Sequence, residues 1–153
     1  YPLPEAQLDR FLLKILMDYP TFEDENEIVN RYTKNITPAV KSVVSKTEVL
    51  ELQRLTRDVP IAEEIKIRAI KIVGATRAKS DNIEYGASPR ASIGIILAAK
   101  ARALMRGRNF VSKEDIDAMA YPVLRHRVIL TFESERKGMT TDQVVADILK
   151  NVK

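Results

Sequence analysis

Apolar residues recur three or four positions apart in about five or six stretches of the chain, which is the spacing of one helix face. Most of these stretches follow a residue whose side-chain oxygen can accept a hydrogen bond from the first helical turn: Thr21, Ser45, Ser88, Ser112 and Thr140. Strand-like alternation is scarce. The pattern therefore predicts an all-α protein, built as a helical bundle.

The most apolar stretch follows Ser88 and runs from Ile93 to Met105. A helix that is apolar on nearly every side belongs in the middle of a bundle. Pro89 suits the first helical position, where its missing N–H is not needed, and Gly107 suits the end. We therefore expect this helix to be central to the fold.

Three stretches have other interpretations. Phe11 to Met17 is short, apolar and closed by Tyr19-Pro20, which is typical of a buried strand, although nothing upstream supplies its sheet partners. The helix that contains Ile61 to Val73 is expected to end near Lys79. Residues 35–44, with Pro38, and residues 80–85 are expected to be loops.

Composition narrows the classes of function. The chain has 153 residues, 45% of them apolar and 30% charged, which suits one globular domain with a real core. Its net charge of +4 is weak evidence for nucleic-acid binding. The absence of cysteine excludes disulfides and thiolate metal sites, and a single histidine argues against a His-based metal site or catalytic triad. No metal site is expected.

The sequence also lacks an apolar run long enough to span a membrane, and it shows no signal peptide. It begins with Tyr1 instead of Met, so we expect a piece of a longer protein. The expected location is cytoplasmic.

Arg90 is unusual because it falls in the first turn of a helix, where the helix dipole disfavours a cation. A nearby carboxylate, such as Glu84 or Asp81, would explain it. An external anion is the other explanation, since an arginine beside free helix N–H groups suits a phosphate. The residues alone leave both open.

Gly-Ala-Ser-Pro-Arg-Ala at 86–91 resembles the sensor 2 motif of MoxR-type AAA+ ATPases, and residues 1–12 resemble the segment that follows sensor 1 in that family. The two motifs occur in the family's order, and the similarity continues to about residue 140, through Leu-Arg-His-Arg at 124–127. The resemblance implies two parts: residues 1–20 as the end of the nucleotide-binding core domain, with its last strand, and residues 21–153 as the helical lid.

The resemblance also implies roles for individual residues. Arg90 would contact the γ-phosphate region as sensor 2, with Ser88 and Pro89 beside the nucleotide. Arg10 would be an arginine finger that reaches the nucleotide of a neighbouring subunit. The alternative for Arg10 is a surface ion pair with Asp9 or Glu5.

On the same basis, the parent protein would bind ATP and Mg²⁺, form a ring with six as the expected number of subunits, and act as a chaperone-like motor on protein complexes. A partner with a von Willebrand A domain is implied as well. The chain has no phosphate-binding Gly-Lys-Ser/Thr loop. It also lacks the acidic residues that hold Mg²⁺ and the sensor 1 Asn, so we expect it to be inactive alone.

A different class of function is a helical module that binds nucleic acid or protein. Arg102, Arg106 and Arg108 cluster near one helix end, and the capped helix after Phe110-Val111 resembles a histone element. The dispersed acidic residues and an aromatic content of 6% argue against nucleic acid. His126, in a basic stretch that follows a helix, is most simply a helix-end residue.

Overall fold

The computed structural model describes residues 3–35 and 39–152, and most of these residues are helical. The helices in chain order are α1 Glu5–Leu8, α2 Phe22–Tyr32, α3 Lys46–Asp58, α4 Glu63–Ala75, α5 Pro89–Met105, α6 Lys113–Leu124, α7 Phe132–Arg136 and α8 Thr141–Asn151. Two short strands, β1 Ile83–Tyr85 and β2 Ile129–Leu130, pair antiparallel, with Ile83 opposite Leu130. The predicted all-α bundle is confirmed.

Helix α5 lies at the centre of the bundle, as its composition predicts, and packs against α3, α4 and α6. Most of its inward side chains are small, and Ala91 and Ala99 are fully buried together with the larger Ile95. Small residues let neighbouring helices approach closely. A Cβ added to Gly94 would lie 3.3 Å from a methyl group of Val123 on α6, so the α5–α6 contact leaves little spare room.

The predicted helix starts are confirmed by their hydrogen bonds. The Thr21 side chain accepts from the Asp24 N–H at 3.2 Å. In α3, the Ser45 N–H donates to the Glu48 carboxylate at 2.6 Å, in a reciprocal capping box. Thr140 and Gln143 form the same motif before α8. At the other end of α5, Gly107 has a φ of +69°, a conformation that favours glycine.

The predicted strand at 11–17 is not formed. Residues 13–20 are neither helix nor strand, and none of residues 11–20 is buried. A strand needs a neighbouring strand for its backbone hydrogen bonds, and within the described residues this segment has none. Its carbonyl groups instead accept from side chains that follow α6.

The region after α4 also differs from the prediction. Helix α4 ends at Ala75, before Lys79, and the next residue, Thr76, bonds back to the Val73 carbonyl at 2.7 Å. The predicted loop at 80–85 contains β1, whose partner β2 lies far along the chain. Helix α7 was not predicted, because it has only 5 residues.

Helices α2 and α3 lie outside the core, and neither has a buried residue. Their apolar side chains remain exposed, including Phe22 and Tyr32 on α2 and Leu50 on α3. The described part of the loop between them is irregular, as predicted, while Pro38 lies outside the described residues. Among the described residues, no helix is long and apolar enough to cross a membrane.

Candidate functional site

A tight turn fixes the entry to α5. Gly86 lies against the backbone of Thr76, at the end of α4. The Ala87 N–H donates to the Thr76 hydroxyl at 3.0 Å, and that hydroxyl in turn donates to the Val73 carbonyl. Both Thr76 and Ala87 are buried. The start of α5 is therefore anchored to the end of α4, and the position of Ser88 is set by this junction.

Ser88 caps α5 and binds a carboxylate at the same time. Its Oγ accepts from the Arg90 N–H at 3.2 Å and donates to the Asp9 carboxylate at 3.0 Å. Pro89 occupies the first helical position, as predicted. The side chain of Asp9 thus lies at the N-terminus of the central helix, where the helix dipole favours a negative charge.

Three side chains converge on Asp9. Besides Ser88, the carboxylate accepts from Arg90 Nη1 at 3.1 Å and from Arg127 Nε at 2.9 Å. Burial alone would raise the pKa of Asp9, but the hydrogen bonds from Ser88, Arg127 and Arg90 hold that pKa below its usual value. Asp9 is therefore ionised at neutral pH.

The partner of Arg90 is a carboxylate, but neither Glu84 nor Asp81, the two expected from the sequence. The partner is Asp9, which lies 81 residues away along the chain. The Arg90 side chain remains 57% exposed and uses one N–H group in this contact. A guanidinium carries five N–H donors, so Arg90 keeps donors that face solvent.

Arg10 has neither of the partners that its alternative interpretation, a surface ion pair, would give it. Its side chain is exposed, and within the described residues it forms no ion pair with Asp9 or Glu5. Asp9 is instead bound to Arg90 and Arg127. The Arg10 backbone N–H donates to the Gln7 carbonyl at 3.1 Å, in the turn that follows α1. The main chain at Arg10 is thus held while its guanidinium stays free.

Arg127 holds the segment from Asp9 to Leu12 and has a side chain that is only 2% exposed. Its Nε binds the Asp9 carboxylate, and its two Nη atoms donate to four carbonyls, those of Asp9 at 2.9 Å, Phe11 at 2.5 Å, Leu12 at 3.2 Å and Val123 at 2.6 Å. Every donor of the guanidinium is therefore used. Burial lowers the pKa of Arg127, although the Asp9 carboxylate opposes this effect.

Two neighbours of Arg127 extend this contact. Arg125 donates to the Lys14 carbonyl at 3.2 Å and binds the Asp142 carboxylate through two N–H groups, at 2.8 and 2.7 Å. His126 Nε2 lies 2.9 Å from the Phe11 carbonyl. Burial lowers the pKa of His126. We call the side chains of residues 125–127 the basic clamp, because together they hold residues 9–14.

The arginines that suggested a histone-like module have a structural explanation. Arg102 and Arg108 both bind Asp115, which is fully buried in the N-terminal turn of α6. Asp115 also accepts from the Ser112 N–H at 2.9 Å. These contacts join the end of α5 to the start of α6. Of the three arginines, only Arg106 is exposed, so the predicted basic cluster is not a free cationic surface.

The geometry suits an anion at the start of α5, because the helix N-terminus and the exposed donors of Arg90 lie together. Among the described residues, no cluster of His, Cys, Asp or Glu could hold a metal ion. Sequence reasoning missed Asp9 and Arg127 as site residues. The acidic neighbour of Arg10 and the basic stretch at 124–127 were visible, but their pairing, 118 residues apart, was not.

Comparisons with known proteins find relatives of this chain in both sequence and structure. A family model described as the AAA lid domain matches residues 75–148. Chaperone MoxR1 of Mycobacterium tuberculosis is 37% identical over 99% of this chain and 42% of its own length. YeaC of Bacillus subtilis is 37% identical over 100% of this chain and 48% of its own length. Protein MoxR of Paracoccus denitrificans is 28% identical over 91% of this chain and 47% of its own length.

A solved structure gives the same result at the level of the fold. The crystal structure of a candidate ATPase from Cytophaga hutchinsonii superposes with a TM-score of 0.92 and 40% identity, over 100% of this chain and 49% of that one. The chain thus spans about half the length of the relatives it matches. The chain is thus similar over its whole length to the MoxR proteins and to a structure described as an ATPase, and its residues 75–148 match the AAA lid domain.

Proposed function

We propose that this chain is the lid region of a chaperone-like ATPase, and that it contributes Arg90 as sensor 2 and Arg10 as an arginine finger to ATP hydrolysis. The observation that carries the proposal is the position of Arg90: it lies in the first turn of α5, beside the helix N-terminus, with a guanidinium that is 57% exposed. A phosphate fits both features, because helix N–H groups and arginine forks favour anions.

ATP and Mg²⁺ are the proposed ligands of the parent protein. Arg90 would bind the terminal phosphate, while Ser88 and Pro89 shape the helix start beside it. The bound nucleotide supplies the phosphoryl group that is transferred to water. In this chain, residues 1–153 contain no Gly-Lys-Ser/Thr loop, so the phosphate loop and the Mg²⁺ ligands would come from elsewhere in the parent. We expect no hydrolysis by this chain alone.

The Arg10 proposal is supported by exposure and anchorage together. The Arg10 guanidinium has no ion pair among the described residues, while its neighbour Asp9 is held by Arg127. An arginine finger needs both a free cation and a fixed main chain, because it stabilises charge that develops on phosphate in the transition state. Arg10 would reach the nucleotide of an adjacent subunit in a ring, for which we propose six subunits.

The wider role rests on the relatives. One of them is described as a chaperone, and we propose a similar role in assembling or activating protein complexes for the parent of this chain. A partner with a von Willebrand A domain and a cytoplasmic location belong to the same proposal.

The decisive experiment compares Arg90→Ala with the unchanged full-length protein. We expect turnover at saturating ATP to fall, and ATP affinity to change less, because the phosphate loop of the parent would still bind the phosphates. Arg136→Ala removes an exposed arginine on α7 and serves as the matched control. Equal turnover in all three proteins, with folding confirmed by circular dichroism, would contradict the role of Arg90.

A further inference from the structure

Asp9 is the only carboxylate bound by Arg90 among the described residues, and it is the direct neighbour of Arg10. We propose that Asp9 is a positioning residue that couples the two arginines: a phosphate at Arg90 replaces Asp9, and the release of Asp9 shifts Arg10. This inference rests on the proposed function. It adds a connection between two sites: the nucleotide bound at Arg90 of one subunit changes how Arg10 of that subunit acts on the nucleotide of its neighbour.

The contact between Arg90 and Asp9 is suited to breaking. It consists of one hydrogen bond of 3.1 Å, on a guanidinium that is mostly exposed. Exposed ion pairs of this kind are weak, because water competes for both charges. A terminal phosphate carries more negative charge than a carboxylate and repels it at close range. A phosphate bound by Arg90 therefore displaces Asp9 from that arginine.

When the contact between Arg90 and Asp9 breaks, Asp9 stays in the site because its other partners remain in place. Arg127 Nε binds one oxygen at 2.9 Å, and the Ser88 hydroxyl donates at 3.0 Å. Arg127 is buried and also binds the main-chain carbonyl of Asp9. Losing one of three partners thus changes the orientation of the Asp9 carboxylate without releasing the segment from the basic clamp.

A change at Asp9 reaches Arg10 through the main chain. Adjacent Cα atoms are about 3.8 Å apart, and the N–H of Arg10 is held in the turn after α1. The carbonyls of Asp9 and Phe11, one on each side of Arg10, are bound by the same Arg127. Among the described residues, the hydrogen bonds between Asp9 and α5 are all made by the Asp9 carboxylate. Losing the one to Arg90 therefore lets the turn around Arg10 shift slightly about its contacts with Arg127, which changes the direction of the Arg10 side chain.

The test uses equilibrium binding of the β,γ-imido analogue of ATP and of ADP to the full-length protein. Asp9→Asn removes the competing charge, while the amide oxygen can still accept from Arg127 and Ser88. We expect the analogue to bind about two- to five-fold more tightly, which is the range of an exposed ion pair, and ADP affinity to stay unchanged. In an Arg90→Ala background the gain should disappear. The control, Asp142→Asn, removes the carboxylate that binds Arg125 in the same clamp. It should not change the affinity for the ATP analogue relative to that for ADP.

A second measurement needs no change at Asp9. Phe11→Trp places a reporter on an exposed side chain beside Arg10, and its main-chain carbonyl still binds Arg127. The tryptophan emission, taken as the difference from the parent without the reporter, should change with the ATP analogue and not with ADP. Arg90→Ala should abolish the response. This measurement decides the question if Asp9→Asn does not fold.

The outcomes separate this inference from the proposed function. If Arg90→Ala lowers turnover, but Asp9→Asn binds the analogue no more tightly than the unchanged protein, the coupling is wrong and the role of Arg90 stands. The same holds if the reporter responds equally with and without Arg90. If Arg90→Ala hydrolyses ATP normally, the proposed function itself fails.

Discussion

Gly86 lies so close to Thr76 that a Cβ on Gly86 would be 2.3 Å from the Thr76 carbonyl oxygen. That oxygen belongs to the backbone and cannot rotate away. A methyl group at residue 86 would therefore move the end of α4 away from the start of α5, and with it Ser88 and Arg90.

We accordingly predict that Gly86→Ala destabilises the fold by about 1–3 kcal/mol, the usual cost of overpacking. Urea denaturation followed by circular dichroism measures this difference. Gly74→Ala is the matched control, since its Cβ would meet no atom within 4 Å and alanine is the better helix former. We expect that variant to gain about 0.5–1 kcal/mol. Equal stability of Gly86→Ala and the unchanged chain would show that the junction is loose.

Asp115 gives the fold a defined acid sensitivity. Its hydrogen bonds from Arg108, followed by those from Ser112 and Arg102, outweigh burial and hold its pKa well below the ordinary 3.8. The folded pKa is below the unfolded one, so the stabilisation is present above about pH 4 and is lost as the pH falls further. Asp115→Asn should lower stability at pH 7 by about 2–3 kcal/mol, because it leaves two arginines without their carboxylate.

Unfolding measured between pH 7 and pH 2 tests this prediction. The unchanged chain should lose stability below pH 4 more steeply than Asp115→Asn, so that the two curves converge. The control is Glu27→Gln, which removes an exposed carboxylate paired with Arg31 on α2. Parallel curves for the unchanged chain and Asp115→Asn would contradict the assignment.

Arg127→Met should release residues 9–14 while the helices of the core remain folded. Methionine has a long side chain but no donor, so the carbonyls of Asp9 and Leu12 would lose their side-chain partner and that of Phe11 would keep only His126. We expect the Lys14 amide, which donates to the Pro122 carbonyl at 2.8 Å, to exchange with solvent at least tenfold faster. Hydrogen exchange followed by mass spectrometry measures this, with Arg31→Met on α2 as the control. Unchanged protection at residue 14 would mean that Arg125 and His126 hold the segment by themselves.

The helix starts could be predicted because each depends on residues within one turn: Ser45 with Glu48, Thr140 with Gln143, and Ser88 with Pro89. The central place of α5 followed equally from its composition. The pairing of β1 with β2 and of Asp9 with Arg127 could not be predicted, because these contacts join residues that are distant in sequence. For the same reason, the carboxylates considered for Arg90, Glu84 and Asp81, did not include its actual partner Asp9.

Arg10→Ala should lower turnover of the assembled full-length protein while each subunit still binds ATP. An arginine finger acts on charge that develops in the transition state, so its loss is expressed mainly in kcat, on the order of 10³-fold where the finger is essential. Turnover and equilibrium ATP binding, measured on the same preparation, separate the two effects. Arg136→Ala, on the exposed surface of α7, is the control.

Mixing subunits tests whether Arg10 acts across an interface. Arg10→Ala subunits are combined with subunits that lack the lysine of the parent's phosphate loop, and each kind is expected to be nearly inactive alone. In a mixed ring, an intact loop can face an intact Arg10, so part of the activity should return. Mixed rings that form but remain inactive would exclude a role for Arg10 in trans.

The basic clamp has a consequence for how this protein tolerates mutation. Arg127 binds the main chain of residues 9, 11 and 12 through their carbonyl oxygens, and every amino acid has that atom. The side chains of Phe11 and Leu12 are therefore free to vary without loosening the anchor, whereas no other amino acid offers the donor set of Arg127. Natural variation should accordingly be greater at Phe11 and Leu12 than at Arg127.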